Sequence, residues 1–236
     1  MDRKKKKGGG NPPLVICDFD GTVSSRDVGH EVLRHFSGDR WADIDRAYVT
    51  GKIGSRDAYS IIASIVKMRR DELCSYLDGL SGLDPFFGDF YEYCTGLGMG
   101  FKIVSDGLDF YIREILSRNG LGEIEFFANS LGFGDNGSIS INFPYSNDEC
   151  RKCGTCKSNI LAGMRQTYSS VIYVGDGHSD VCPAKTADLV FGKETLYRKC
   201  LANGTSCIHY TSFDKVHEIL KNGPSHLASG ADAKQD

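Results

Sequence analysis

Short apolar runs alternate along this chain with longer stretches whose apolar positions recur every three to four residues. The short runs are Leu14–Asp18, Phe101–Ser105, Glu125–Ala128, Val171–Gly175, Leu189–Phe191 and Cys207–Tyr210, a length and a flanking chemistry that suit strands. Helical spacing covers Leu108–Arg118, Lys157–Gln166, Ser179–Thr186, Glu194–Ala202 and Phe213–Lys221. Strands alternating with helices predict an α/β fold, a Rossmann-like parallel sheet covered by helices on both faces. Such sheets bind ligands beyond the carboxyl ends of their strands. The polar residues falling there are Asp18, Asp20, Ser105, Asp106 and Asp176.

The alternation breaks after the first strand. Val28–Phe36, Ala42–Val49, Arg56–Met68 and Asp71–Leu77 read as consecutive helices, and Ile61, Ile62, Ile65, Val66 and Met68 give the third an apolar side for packing. A helical insert at this point predicts a cap over the carboxyl-end site. Leu131–Phe143 reads as a hairpin turning at Asp135-Asn136-Gly137. The predicted organisation is a disordered basic and glycine-rich arm over 1–12, a core made of 13–26 and 86–222, a helical cap over 27–85, and a flexible tail over 223–236.

Composition narrows the class. The chain has 236 residues, 40% of them apolar and 25% charged, as in globular proteins. A formal net charge of −3 gives no electrostatic case for nucleic acid, and the block Arg3–Lys7 reads as a solvated arm. No apolar stretch approaches the roughly 20 residues of a membrane span, and no apolar leader opens the chain. Nine scattered cysteines predict reduced thiols and a cytoplasmic location.

The chemistry concentrates in four places. In Cys17-Asp18-Phe19-Asp20-Gly21-Thr22 a strand delivers two carboxylates one residue apart, where positions i and i+2 share a face. Crowded carboxylates call for a cation, a shared proton or a reaction that uses them. Asp18 is the candidate nucleophile and Asp20 the candidate general acid and base. Ser105-Asp106-Gly107 ends a second strand with a hydroxyl and backbone amides suited to phosphate oxygens. Lys157 opens a helix, where a cation is disfavoured without a reason. Asp176-Gly177-His178-Ser179-Asp180 supplies two more acids. Asp176 is placed to complete an oxygen site for Mg²⁺ with Asp18 and the carbonyl of Asp20, and Asp180 to hold a metal-bound water or pair with Lys157.

In this order, with a helical insert between the first and second, the four motifs resemble the haloacid dehalogenase superfamily of phosphatases, over roughly 13–220. The resemblance implies Asp18 as nucleophile and Asp20 as acid/base. It implies phosphate binding by Ser105, Asp106, Lys157 and the amides of Phe19 and Gly107, with Asp18, Asp20, Asp176 and Asp180 at the Mg²⁺ site. A cap in this position is similar to the phosphoserine-phosphatase-like branch. The segments Cys150–Lys157, Gly175–Ala184 and Gly54–Asp57 are most similar to its diketo-methylthio-phosphopentane phosphatase-like and phosphoethanolamine/phosphocholine phosphatase members. The implied reaction is Mg²⁺-dependent hydrolysis of a small phosphorylated metabolite through an aspartyl-phosphate. Phosphoserine hydrolysis, phosphoryl transfer to an alcohol and non-catalytic binding of a metal or phospho-ligand stand as alternatives.

Asp27 occupies the place where phosphoserine phosphatase is expected to carry a glutamate that reads the substrate amine. Arg56 is either a reader of a substrate carboxylate or a partner in a cap salt bridge. The spacing of Cys150, Cys153 and Cys156 leaves three readings open, namely a soft metal, a disulfide or reduced loop thiols. Cys17 reads as a buried core thiol.

Overall fold

The computed structural model describes residues 10–80 and 82–223; the basic block of the predicted arm and nearly all of the predicted tail lie outside the described residues. A seven-stranded sheet runs through the molecule in the order β4-β3-β2-β1-β5-β6-β7. Its strands are β1 (Leu14–Cys17), β2 (Gly100–Leu108), β3 (Phe126–Phe133), β4 (Ile139–Asn142), β5 (Val171–Gly175), β6 (Leu189–Gly192) and β7 (Ile208–His209). All neighbours are parallel except β3 and β4, the predicted hairpin, which turns through Asp135–Gly137.

β1 lies at the centre, paired to β2 on one side and β5 on the other. Its four residues are all buried. Val15 and Cys17 pack with Ile103, Val174 and Phe191 on one face, while Leu14 and Ile16 pack with Val104, Leu161 and Tyr173 on the other. A strand apolar on both faces is what a doubly covered parallel sheet requires. The chain builds β2 and β3 on one side of β1 and then β5, β6 and β7 on the other, so the direction of winding switches beside β1, where such folds open a crevice.

Four helices follow β1: α1 (Val28–Ser37), α2 (Arg40–Val49), α3 (Ser55–Ile65) and α4 (Arg70–Asp78). A fifth, α5 (Phe87–Gly96), was not predicted; its Phe87 and Phe90 are fully buried against Phe101 and Phe213. The remaining helices are α6 (Asp109–Arg118), α7 (Lys157–Met164), α8 (Val181–Ala184), α9 (Glu194–Asn203) and α10 (Phe213–Asn222). Among the described residues no helix is long and apolar enough to cross a membrane.

Further elements differ from the sequence reading, two of them through contacts with residues distant in sequence. α3 stops at Ile65 instead of Met68 because Lys67 bridges to Ser138 and the Met68 N–H donates to the Gly137 carbonyl (2.8 Å). Val66 and Met68 are buried there, whereas Ile61 faces solvent. β2 runs on through Gly107 to Leu108, losing its regular register with β3 beyond Val104. The helix predicted over Ser179–Thr186 shrinks to α8 because the Asp180 carboxylate holds the residues before it in a loop.

Candidate active site

β1 ends at Cys17 and the chain turns at once, with the Ser24 N–H donating to the Phe19 carbonyl (2.9 Å) around a single wide turn. Gly21 sits at φ 69°, and a Cβ there would lie 2.6 Å from Asp176 Oδ2. Both the backbone angle and the close approach demand glycine. This turn presents Asp18 and Asp20 to a common cavity above the sheet.

Asp18 is 5% exposed, and its Oδ1 accepts from its neighbour's amide, Phe19 N (2.7 Å). Lys157 Nζ lies 2.7 Å from the same oxygen and 2.7 Å from Asp180 Oδ1. Asp180 is fully buried with every lone-pair direction used: Tyr173 donates to Oδ1 (2.6 Å), and the amides of Asp176 and Gly177 donate to Oδ2 (3.0 and 2.9 Å). Burial alone would raise its pKa, but the lysine and these donors hold it below the usual range. Burial opposes the Lys157 charge, and the two carboxylates beside it overcome that and raise its pKa.

Asp176 accepts from Thr22 Oγ1 (3.0 Å), which ties the β5 loop to the β1 turn. One carboxylate oxygen each of Asp18, Asp176 and Asp180 lie inside 4.8 Å of one another, and of the three Asp180 is already fully engaged by its donors. Burial and then Asp180 push Asp18 well above an ordinary aspartate, and the same causes raise Asp176 to about 7. Three carboxylates around one ammonium are short of positive charge, and oxygen ligands so placed fit a hard metal ion. Among the described residues no other group of acids, cysteines and histidines meets that spacing, so Cys150, Cys153 and Cys156 do not gather as metal ligands.

Asp20 is held by two donors that the sequence reading missed. Gly29 N, in the first turn of α1, donates to Oδ1 (3.0 Å), and Tyr111 Oη, in α6, donates to Oδ2 (2.5 Å). Burial, with Asp27 next in effect, raises its pKa to about 7. The i, i+2 spacing pointed to Asp20, but nothing local marked Tyr111 as its partner.

Ser105 is 1% exposed and its Oγ accepts from Gly107 N (2.9 Å). The Asp106 carboxylate turns toward the β3 side, accepting from Asn129 Nδ2 (3.2 Å) and Thr155 N (2.9 Å); among the described residues its Oδ2 has no hydrogen-bond partner. Thr155 belongs to the cysteine loop before α7. That loop also touches the start of α3, where Gly154 N donates to Ser55 Oγ (3.0 Å) and Arg56 N donates to the Lys152 carbonyl (3.1 Å). The loop thus clasps α3 to the second motif by backbone contacts, and all nine cysteines are free. Cys17 is buried, and burial raises its pKa. The Arg56 guanidinium stacks over Phe143 at 5.7 Å from the ring centroid, away from the cavity lining, and among the described residues it forms no ion pair.

The cavity, about 360 Å³, lies between these strand ends and α1–α3. Asp27 lines it while capping α1 through His30 N (2.7 Å). Opposite the aspartates stand Trp41, Tyr48, Tyr59, His30 and Asp45, with Trp41 Nε1 donating to His30 Nδ1 (3.3 Å).

Known proteins resemble this chain in sequence and in fold. The chain is 29% identical over 217 residues to the 2-hydroxy-3-keto-5-methylthiopentenyl-1-phosphate phosphatase of Bacillus velezensis, covering 89% of this chain and 90% of that protein. It is 27% identical over 212 residues to the bifunctional enzyme MtnB/MtnX of Bacillus licheniformis, 89% of this chain, and spans about half of that longer protein, 49%. A substrate-bound phosphoserine phosphatase shares the fold with a TM-score of 0.68 at 17% identity, over 89% of this chain and 98% of that one. The fold is of the haloacid dehalogenase type, as in phosphoserine phosphatase, and the relatives are phosphatases, which makes the chain a phosphomonoester hydrolase. More narrowly, residues 13–195 match the family described as Putative Phosphatase, and the chain belongs to it.

Proposed function

We propose that the chain hydrolyses small phosphomonoesters with Mg²⁺ through an aspartyl-phosphate on Asp18. The observation that carries this reading is the buried lysine bridging Asp18 and Asp180 at the end of the central strand. A carboxylate attacking a phosphate dianion meets charge repulsion, and a fixed ammonium at 2.7 Å opposes it without reorganisation.

Asp18 forms the bond to phosphorus while Asp20 gives its proton to the departing alkoxide. Asp20 then takes a proton from the water that attacks the acyl phosphate, restoring both carboxyl groups. A group titrating at about 7 can do both jobs near neutral pH. Ser105, Lys157 and the amides of Phe19, Asp106 and Gly107 take the phosphate oxygens; the amides of Phe19 and Gly107 leave Asp18 Oδ1 and Ser105 Oγ to do so. Asp18, Asp176 and the Asp20 carbonyl would hold Mg²⁺, with Asp180 fixing Lys157 and the 176–177 loop behind them. Bound there, the ion would supply positive charge that offsets the repulsion between the carboxylate and the phosphate.

The cavity volume suits a metabolite rather than a macromolecule. Its cap wall carries Asp27 and Asp45 beside aromatic rings, and among the described residues no lysine or arginine lines that wall, so a neutral or cationic leaving group suits it better than an anionic one. Asp27 belongs to that substrate-reading wall; Arg56 reaches it only through rearrangement of α3. The substrate named for the Bacillus velezensis relative, a small keto phosphate ester, fits this size class.

Phosphate release from p-nitrophenyl phosphate, phosphoserine, phosphoethanolamine, phosphocholine and an enolisable keto-sugar phosphate, with Mg²⁺ and with chelator, tests the reading. Mg²⁺-dependent release that favours one ester supports it. No release from any ester by protein that binds Mg²⁺ overturns it. Added acceptor alcohols distinguish phosphoryl transfer, by phosphorylated products in place of free phosphate.

A further inference from the structure

We propose that Tyr111 is a positioning residue for Asp20, its phenol holding the Asp20 carboxyl in the orientation that faces the cavity. The inference rests on the acid/base role proposed for Asp20.

Tyr111 is fully buried in α6, and its hydroxyl donates to Asp20 Oδ2. Among the described residues that carboxylate is the hydrogen-bond partner of this phenol. The surroundings are built around the oxygen. A Cβ on Gly107 would lie 1.9 Å from Tyr111 Oη and 2.6 Å from Asp20 Oδ2, and one on Gly29 would lie 2.8 Å from the same phenol oxygen. Two glycines from different elements, one in the second motif and one at the start of α1, leave the space in which phenol and carboxylate meet. A phenyl ring would serve the packing against Phe19 equally well (centroids 6.1 Å apart). Burying a hydroxyl is favourable only where it finds an acceptor.

Asp20 needs such support. It stands in an irregular turn before a glycine at φ 69°, with no regular element to fix its side chain. Its two donors come from separate parts of the molecule: Gly29 N from the helical insert and Tyr111 from the core. A cap that admits substrate must move. When α1 withdraws, the Gly29 bond goes with it and the Tyr111 bond stays. Tyr111 therefore keeps the acid aimed through the cycle. Its own proton is never transferred; the Asp20 proton goes to the leaving oxygen and is regained from water.

The test is Tyr111→Phe, read by single-turnover cleavage of an alkyl phosphate and of p-nitrophenyl phosphate. An alkoxide needs the general acid and a nitrophenolate barely does. Alkyl ester cleavage is expected to slow about tenfold or more, with p-nitrophenyl phosphate cleavage and both KM values within about twofold of wild type. In an Asp20→Asn background the same substitution is expected to add nothing. Equal slowing of both esters, or a further loss in the Asp20→Asn background, overturns the proposal. An Asp20→Asn variant that keeps alkyl ester turnover would instead overturn the acid/base role of Asp20 itself. If Tyr111→Phe does not fold, a ring-fluorinated tyrosine at 111 keeps shape and hydroxyl while changing the bond strength. A shifted alkyl-to-aryl rate ratio then supports the proposal, and an unmoved ratio overturns it.

Discussion

Lys157 Nζ lies 2.7 Å from Asp18 Oδ1, with both side chains buried. Removing the ammonium strands two carboxylates in a low-dielectric pocket. Lys157→Met is expected to abolish phosphate release and to destabilise the fold by about 3 kcal/mol, measured by denaturant titration. Lys157→Arg is expected not to rescue activity, because a planar fork cannot occupy the place of a compact ammonium between two carboxylates.

Asp18→Asn separates chemistry from stability. The amide cannot form the acyl phosphate, so turnover is expected to fall at least about a thousandfold. Burial and Asp180 both penalise the Asp18 charge, while Lys157 keeps its bond to Asp180. The variant is therefore expected to melt no lower than wild type in chelator, by calorimetry.

Stability should depend on pH in a direction set by Asp20 and Asp176. Both carry pKa values raised to about 7 by burial and neighbouring carboxylates. Their protonated forms favour the fold, so this contribution is full below the unfolded value near pH 4 and is lost as pH rises through about 7. Metal-free protein is expected to melt several degrees higher at pH 5.5 than at pH 8, at about 2–4 °C per kcal/mol for a chain of this size. Mg²⁺ should raise the melting temperature more at pH 8 than at pH 5.5, since it binds the ionised carboxylates. A flat profile in chelator would count against the raised values.

Gly21→Ala drives a methyl to within 2.6 Å of Asp176 Oδ2 and strains a backbone at φ 69°. Asp176 must then turn away. The half-saturating Mg²⁺ concentration is expected to rise about tenfold or more, the scale seen when groups supporting a metal site are disturbed, read by activity and by calorimetric titration.

Thiol reactivity should follow exposure. Cys150 and Cys182 are exposed, whereas burial raises the Cys153 pKa to about 12 and Cys156 is buried. Iodoacetamide at pH 7.5 is expected to label Cys150 and Cys182 first, by peptide mass mapping. Phosphate release is expected to be equal with and without reductant.

Much of this is legible in the sequence. The alternation of β1, β2, β5 and β6 with helices was readable because a strand buried on both faces is a continuous apolar run, and the aspartates sit where such runs end. The hairpin announced itself through Asp135-Asn136-Gly137. The extension of β2 past Ser105 and the early stop of α3 were not readable, since each depends on a neighbour distant in sequence: β3 for one, Gly137 for the other. Arg56, read as a substrate ligand or salt-bridge partner, turned instead to the ring of Phe143.

By itself the sequence determined the sheet, the helical insert and the identity of the acids at the strand ends, because periodicity and turn chemistry act over a few residues. Tertiary structure alone decided which groups share charge and hydrogen bonds. Tyr173 beneath Asp180, Thr22 against Asp176, and Tyr111 on Asp20 are separated from their partners by 7, 154 and 91 positions. Such pairings follow from how strands and helices cross in space, and no local pattern encodes them.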